Sequence, residues 1–485
     1  MCNSRSTESL RTGVIAAAVV FTIFTIGCAT KPAPTRENIV ADSIGENTVR
    51  GEWAEATESG AVPDGWLKSF NDPKMEAVVI EALRHNLVLR GAAARVEAAT
   101  AAAVQAGAKM GPIVSAGGGG GVGGIEGGST GGTGGVGLNA SWELDVWGRL
   151  RSIRSAAEEQ LASVQRDYEF ARQSLAAQTA KAWYLASNAQ QQLNLAKETV
   201  AVYTQLVDVV RAKAKIGQVT PQDLNLAQAD LASAKERERL ADGAHREAVR
   251  SLEVLLGRYP SAELKVADQF IPVPKAVPAG VPSEVLERRP DIIAAESRVR
   301  GAFQNVQAAK LAKLPSFTLT ASGGAASGGL LSSIGAGPGF FNVGANFLAP
   351  IYTGGALEAE VKIQTAAQEE ALAAYGQKAL VAFSEVEKGL NAESLLRERE
   401  ELLATAVEQN EEALRVAKVR YDSGKVSMLD VLQMQARTNL SRSALIDMKQ
   451  LRLAQRIDLH LALGGSFETH PEPTTQTQPS TQPVK

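Results

Sequence analysis

Hydrophobic and polar residues alternate strictly along one short stretch of the chain, VGLNASWELDV, from Val136 to Val146. Its even-numbered positions are apolar, and its odd-numbered positions are glycine, polar or charged. A period of two residues predicts a β-strand with one apolar face and one polar face. Similar patterns predict three more strands, so that two hairpins with glycine-rich loops are expected, with strands at about 112–120, 136–146, 315–323 and 340–350.

A second periodicity, with apolar residues at alternating steps of three and four, follows each predicted hairpin over residues 148–256 and 355–464. This spacing is typical of amphipathic helices in a coiled coil. A glycine-containing turn divides each tract into a long helix and a returning helix, which at 1.5 Å per residue measure roughly 100 and 50 Å. A single shorter helix is predicted before each hairpin, from Asp72 to about Met110 and from Pro282 to about Lys313.

The chain also matches itself at a fixed displacement. At an offset of 207 residues Gly217 and Asp223 fall on Gly424 and Asp430, and upstream of the glycine-rich loops the offset is 203. Internal repetition of this kind predicts one structural unit used twice. The predicted divisions are a signal peptide (1–27), an extended N-terminal segment (28–62), repeat 1 (63–257), a linker (258–281), repeat 2 (282–466) and a disordered tail (467–485).

The N-terminus has the pattern of a secretory signal. Arg5 and Arg11 precede an apolar run that is too short for a spanning helix and ends before Cys28. A cysteine after a small residue resembles the lipobox of bacterial lipoproteins, which predicts acylation of Cys28, and Ala29 behind it favours sorting to the outer membrane. Cys2 is removed with the signal, so no disulfide is expected.

Composition and motifs argue against an enzyme. The net charge is −3, and no basic patch indicates a nucleic-acid partner. The four histidines are scattered without metal-ligand spacing and are expected on helix surfaces or in the tail. The glycine-rich segments lack the lysine and the strand-to-helix context of a phosphate loop. No catalytic residue, metal or cofactor is therefore predicted.

Four strands of about ten residues have the length that a tilted strand needs to cross a bilayer. Because strand edges cannot stay unpaired in lipid and four strands are too few to close a membrane barrel, copies of the chain must pool their strands. Two copies give eight strands and three give twelve. The apolar face is then expected to contact lipid, and the lumen-facing residues are predicted to be Asn139, Ser141, Glu143 and Asp145.

Several short motifs in the duplicated order carry a resemblance to a known family. They are Trp66-Leu67-x-x-Phe70-x-Asp72-Pro73, Ala82-Leu83-x-x-Asn86 and Arg420-Tyr421-x-x-Gly424-x-x-Ser427-x-x-Asp430-Val431-Leu432. From about Trp66 to Gly464 the chain resembles the outer-membrane efflux proteins of the TolC-like family, in the lipoprotein branch of OprM and NodT. The resemblance implies a mostly helical homotrimer with a twelve-stranded barrel and a periplasmic helical tunnel. A periplasmic adaptor and an inner-membrane pump of the RND type are the implied partners.

The same resemblance assigns roles to the two helix-turn-helix tips. It implies that Asp430 faces a narrow pore in a ring of three carboxylates, and that a closed state joins Tyr421 to Asp223. An aspartate in the first turn of a helix is also favoured by the helix dipole, so both readings stay open. Gln433 stands where relatives often carry a second aspartate. Val426 stands where some carry an arginine, whose place the neighbouring Lys425 would take. The residues expected to contact an adaptor are Gly217, Gln218, Val219, Gly424, Lys425 and Val426.

Two further functions remain open from the sequence. An exit duct for type I protein secretion would use the same fold. A non-conducting structural lipoprotein would use the coiled coil alone, although it gives no role to the charged positions in the predicted strands.

Overall fold

A computed structural model describes residues 31–45, 49–55, 60, 62–123, 131–327 and 339–468. The predicted signal peptide and Cys28 lie outside the described residues, as does the tail from residue 469 onwards. The helices are α1 Arg36–Ile44, α2 Trp66–Ser69, α3 Pro73–His85, α4 Leu87–Ala108, α5 Arg149–Lys215, α6 Pro221–Leu255, α7 Pro282–Arg288, α8 Pro290–Leu311, α9 Ala356–Asp422 and α10 Met428–Ala462. The strands are β1 Ile113–Gly123, β2 Gly131–Leu144, β3 Ser316–Ser327 and β4 Gly339–Leu348.

The helices recur at the predicted displacements. Helices α5 and α9 each contain 67 residues, and α6 and α10 each contain 35. Helices α4 and α8 each contain 22 residues, and their starting points differ by 203. Each 67-residue helix is about 100 Å long, and each 35-residue helix is about 50 Å long.

The helix before each hairpin is divided, so the prediction of a single helix was wrong in both halves. In the first half α3 ends at Asn86, whose Oδ1 accepts hydrogen bonds from the backbone N–H groups of Val88 and Leu89 and so caps α4. In the second half the break falls at Arg289, because the ring of Pro290 disfavours helical backbone in the residue before it. The polar side chain of Asn86 therefore ends one helix and starts the next without a proline.

The segment 28–62, which was predicted to be extended, contains helix α1. Thr35 caps this helix through its hydroxyl, which accepts the backbone N–H of Asn38. The helix has weak amphipathic patterning, which explains why a search for periodic apolar residues missed it. Its Arg36 pairs with the buried Glu296 of α8 at 2.9 Å.

Internal contacts divide the chain into two compact units. The first contains the sheet together with residues 94–166 and 294–378 and helix α1. The second contains the described parts of residues 47–93, residues 167–293 and residues 379–468, and thus both helix-turn-helix tips.

Both helix breaks bind the end of a returning helix within the second unit. Nδ2 of Asn86 donates to the carbonyl of Leu255 at 3.0 Å, and Nη1 of Arg289 donates to the carbonyl of Ala462 at 3.2 Å. The two contacts occupy equivalent positions in the two repeats. Asn86 and Arg289 are 203 residues apart and the two carbonyls are 207 residues apart, which are the offsets of the repeat before and after the glycine-rich loops. The backbone after α6 lies very close to the end of α3, because a Cβ on Gly257, at φ +71°, would lie 2.7 Å from the carbonyl oxygen of His85.

The main core of the second unit contains a buried histidine. His460 is 2% exposed and stacks on Trp66 with a ring-centroid distance of 5.8 Å. The expectation that every histidine lies on a helix surface or in the tail was therefore wrong for His460, because the apolar positions around it leave its side chain on the core face of α10. Burial, and next the charge of Arg456, lower the pKa of His460 to about 3.

This histidine should make stability depend on pH. In the unfolded chain the pKa of a histidine is about 6.5. Between that pH and the lower pKa of the folded state, the unfolded chain binds a proton at this histidine and the folded protein does not. The free energy of unfolding is therefore expected to fall by about 1.4 kcal/mol for each pH unit below 6.5. Replacing His460 by Phe keeps the ring stack and should remove this part of the dependence.

Denaturant titrations at pH 7.5 and pH 5 measure the effect. The difference between the two pH values should be smaller in His460→Phe than in the wild type. Replacement of the exposed His85 by Gln serves as the control and should leave the difference unchanged. An equal difference in His460→Phe and the wild type would contradict the argument.

Candidate functional site: the segregated sheet and the helix-turn-helix tips

The sheet has the order β1-β2-β3-β4, with every neighbouring pair antiparallel. Its register places apolar residues opposite apolar residues on one face: Leu319 pairs with Trp142 on one side and with Ala345 on the other. The residues of this face are Val114, Ala116, Val122, Val136, Leu138, Ala140, Trp142, Leu144, Phe317, Leu319, Ala321, Ala325, Phe341, Val343, Ala345 and Phe347. Many are open to the surroundings, with Phe341 89% and Val343 77% exposed.

The opposite face is mainly polar. Ser141 pairs with Thr320, and Thr318 pairs with Asn346. The polar residues of this face are Ser115, Asn139, Ser141, Glu143, Ser316, Thr318, Thr320, Ser322, Asn342 and Asn346. The sequence thus placed Asn139, Ser141 and Glu143 together correctly on one face of a strand. At the end of the strand both carboxylate oxygens of Glu143 accept hydrogen bonds from Arg149, at 2.7 and 2.9 Å.

Asp145 has a different position from the one predicted. Strand β2 ends at Leu144, and the carboxylate of Asp145 accepts the backbone N–H groups of Leu150 and Arg151 at 2.9 and 3.0 Å. It thereby satisfies N–H groups in the first turn of α5, which have no partner within the helix. Asp145 is a helix-capping residue in this structure, because the strand ends at Leu144, before the alternation in the sequence does.

The two edges of the sheet belong to β1 and β4. Within the described residues each of these strands pairs on one side only. A strand edge presents a row of backbone N–H and C=O groups that a further strand can pair with. The sheet therefore has two edges to which further strands could pair.

Each helix-turn-helix tip ends its first helix in the same way. Gly217 and Gly424 have φ values of +72° and +69°, which glycine adopts without strain. The next residues, Gln218 and Lys425, donate backbone hydrogen bonds five residues back along the chain, at 3.0 and 2.9 Å. This pattern is the Schellman motif, which satisfies the last carbonyls of a helix.

Each returning helix begins with a capping box. The Thr220 and Ser427 hydroxyls accept the backbone N–H groups of Asp223 and Asp430, and each carboxylate accepts the cap residue's N–H in return, at 2.9 and 2.8 Å. Hydrogen bonds from Ser427 lower the pKa of Asp430, so this exposed carboxylate stays charged at neutral pH. Asp223 and Asp430 therefore stabilise their own turns, in addition to any role in a pore.

The contact between the two tips differs from the predicted Tyr421–Asp223 hydrogen bond. The Tyr421 hydroxyl is buried without a hydrogen-bond partner, while Asp223 bonds Thr220. Burial, and next the charge of Asp223, raise the pKa of Tyr421. The ring instead contacts the Lys213 ammonium, which lies 4.0 Å from the ring centroid. Lys213 was not predicted, because its role depends on the packing of α5 against α9.

The other predicted tip residues lie on the surface. Gly217, Gln218, Gly424 and Lys425 are exposed, and Val219 and Val426 are half-buried. Gln433 is exposed one turn beyond Asp430. Two apolar side chains that were not predicted, Ile216 and Leu429, are also exposed here at 68% and 49%.

Within the described residues, no group of three or more histidine, cysteine, aspartate or glutamate side chains is arranged to hold a metal ion. Among the described helices, none is both long enough and apolar enough to cross a membrane.

Comparison with known proteins identifies the fold. The model of the family described as "Outer membrane efflux protein" matches residues 78–258 and 281–465. The chain belongs to the outer membrane efflux protein family. The efflux protein's two matched segments each contain one hairpin and one pair of long helices.

Individual relatives of the efflux protein agree with this assignment. It is 31% identical to the pyoverdine export outer membrane protein OpmQ of Pseudomonas putida, over 85% of this chain and 90% of the relative. It is 30% identical to the cation efflux system protein CusC of Escherichia coli, over 83% of this chain and 88% of the relative. The crystal structure of the Campylobacter jejuni CmeC outer membrane channel matches with a TM-score of 0.81 and 25% identity, over 86% of this chain and 91% of that one.

Proposed function

We propose that this protein is the outer-membrane conduit of a tripartite efflux system. It passes small molecules from an inner-membrane pump of the RND type, through a periplasmic adaptor, to the exterior. The segregation of the sheet into an apolar and a polar face carries the proposal. An exposed apolar face of this extent suits lipid, and the polar face suits a water-filled lumen.

The open edges of β1 and β4 support a homotrimer. In lipid, backbone groups at a sheet edge must be paired, so the four strands of one chain must close with strands of other copies. Three copies supply twelve strands, the number the family resemblance implies. Outer-membrane lipid then covers the apolar face, and acylation of Cys28 would anchor the N-terminus in the same membrane.

The tips are proposed to form the periplasmic aperture and to contact the adaptor. Three Asp430 carboxylates around a narrow opening would attract cations and resist anions. The exposed apolar side chains of Ile216 and Leu429 add surface that an adaptor would bury. Gly217, Gln218, Gly424 and Lys425 are exposed and are proposed to make that contact, together with the half-buried Val219 and Val426.

Replacing Lys213 by Met tests what holds the tips together. A contact between an ammonium and an aromatic face contributes about 0.5 to 2 kcal/mol, so its loss should loosen the tips and raise the ion current of the isolated protein in planar bilayers. Tyr421→Phe keeps the ring and removes only an unpaired hydroxyl, so its current should equal that of the wild type. Lys215→Met is the control for lost charge. A raised current in Tyr421→Phe but not in Lys213→Met would favour the tyrosine–aspartate bond instead.

The proposed function itself is tested in cells by deleting the gene and measuring accumulation of a fluorescent dye, with antibiotics and metal ions tested alongside. Increased accumulation that the intact gene reverses would support efflux, and the new sensitivities would indicate the cargo. Normal accumulation together with loss of a secreted protein would favour the type I secretion duct. Absence of ion current from the purified protein would favour a structural lipoprotein.

A further inference from the structure

Phe340 is a large aromatic residue on the otherwise polar face of the sheet. It pairs with Gly324 in the register of β3 and β4, and it is 48% exposed. Where side chains of this face are described, the other large apolar residues are Ile113 and Leu348, at the opposite end of the sheet, beside the helices. Among the described side chains of this face, Phe340 is therefore the one large apolar group near the hairpin end.

The residues beside Phe340 on the same face have no side chains. Gly324 pairs with Gly137, and Gly137 pairs with Gly117, so a row of three glycines crosses the sheet from Phe340 to its far edge. A Cβ on Gly117 would meet nothing within 4 Å, which means that the space above this strand is open. The phenyl group is thus the only side chain larger than a hydrogen atom along this row of four described residues.

We propose that Phe340 projects into the lumen of the channel and forms, with its copies in the trimer, an aromatic constriction near the hairpin end that limits the ion current. This inference rests on the proposed function, because it needs the polar face to line a closed lumen. A ring of apolar side chains resists hydrated ions by dewetting and offers apolar contact to cargo that carries aromatic or aliphatic groups. The constriction would favour amphipathic molecules over small salts.

The adjacent residue provides a matched control. Phe341 has the same side chain but lies on the apolar face, opposite Gly323, and is 89% exposed. Phe340→Cys and Phe341→Cys in the full chain are treated with a charged, membrane-impermeant methanethiosulfonate and, separately, with a lipid-soluble maleimide. Labelling is measured on proteoliposomes and ion current in planar bilayers, with the wild type reporting any background from its own cysteines.

The charged reagent should label Phe340→Cys and remove most of its current. It should not label Phe341→Cys, which should react with the lipid-soluble reagent and keep its current. Failure of the charged reagent to label Phe340→Cys, or labelling without loss of current in a protein that conducts, would overturn the constriction alone. A wild type without any current would contradict the proposed function, and the constriction with it.

Discussion

Gly324→Val is expected to remove the protein from the outer-membrane fraction. A Cβ at position 324 would lie 2.3 Å from the carbonyl oxygen of Val136 and 2.7 Å from the Cα of Gly137, both in the backbone of β2. Backbone of a paired strand cannot move aside without loss of ladder hydrogen bonds, so β2 and β3 should separate. Separation exposes unpaired strand edges, which lipid does not tolerate. The amount of protein recovered from the outer membrane, and its resistance to protease, measure the result.

Gly117→Val is the matched control for this substitution. Gly117 lies in the same cross-strand row and on the same face, but a Cβ there would meet no atom within 4 Å. The variant should reach the outer membrane in normal amounts, because valine is favourable in strands. Equal recovery of both variants would mean that β2 and β3 approach each other less closely than in this structure.

Arg289→Met is expected to destabilise the second unit strongly. The guanidinium is 5% exposed, bonds both oxygens of Asp291 at 3.1 Å, reaches Glu385 at 2.6 Å and also holds the carbonyl of Ala462. Burial lowers its pKa, but the bonds to the two carboxylates outweigh burial and the pKa is raised overall. Removing one partner from a buried ion pair costs about 3 to 5 kcal/mol, because the remaining charge stays in the protein interior.

The neighbouring arginine gives the comparison. Arg288 pairs with Asp64 at 2.8 Å, but both side chains are substantially exposed, at 28% and 40%. A pair in such a setting contributes at most about 1 kcal/mol, so Arg288→Met should shift the denaturant midpoint of the helical signal only slightly. Midpoints that shift equally in the two variants would refute the role given to Arg289.

The regular parts of the fold were predictable because periodicity reports them directly. Alternation located the four strands, and the repeat at 207 residues located the two long helix pairs. The polar positions Asn139, Ser141 and Glu143 followed from the same alternation. Glycine and a hydroxyl residue at each tip indicated the turn and the cap, as the structure confirms for Gly217 and Thr220.

The remaining features depend on tertiary contacts that no local pattern records. Nothing near Asn86 in the sequence shows that its side chain will reach the carbonyl of Leu255 and end a helix there. Lys213 meets Tyr421 across two helices that lie about two hundred residues apart in the chain. Asp145 continues the alternation in the sequence. Its carboxylate nevertheless accepts hydrogen bonds from N–H groups in the first turn of α5, which have no partner within the helix.

The hydrogen bonds that hold each tip turn together are formed within that turn. Each closes its backbone hydrogen bonds through its own glycine and its own capping box. A tip can therefore change its position by bending of the helices below it, without breaking any hydrogen bond inside the turn. Each turn would then move as a rigid body, so that the proposed adaptor surface would keep one shape while the proposed aperture changes its width. The bending must then take place along the long helices themselves, where small changes of helix curvature cost little free energy.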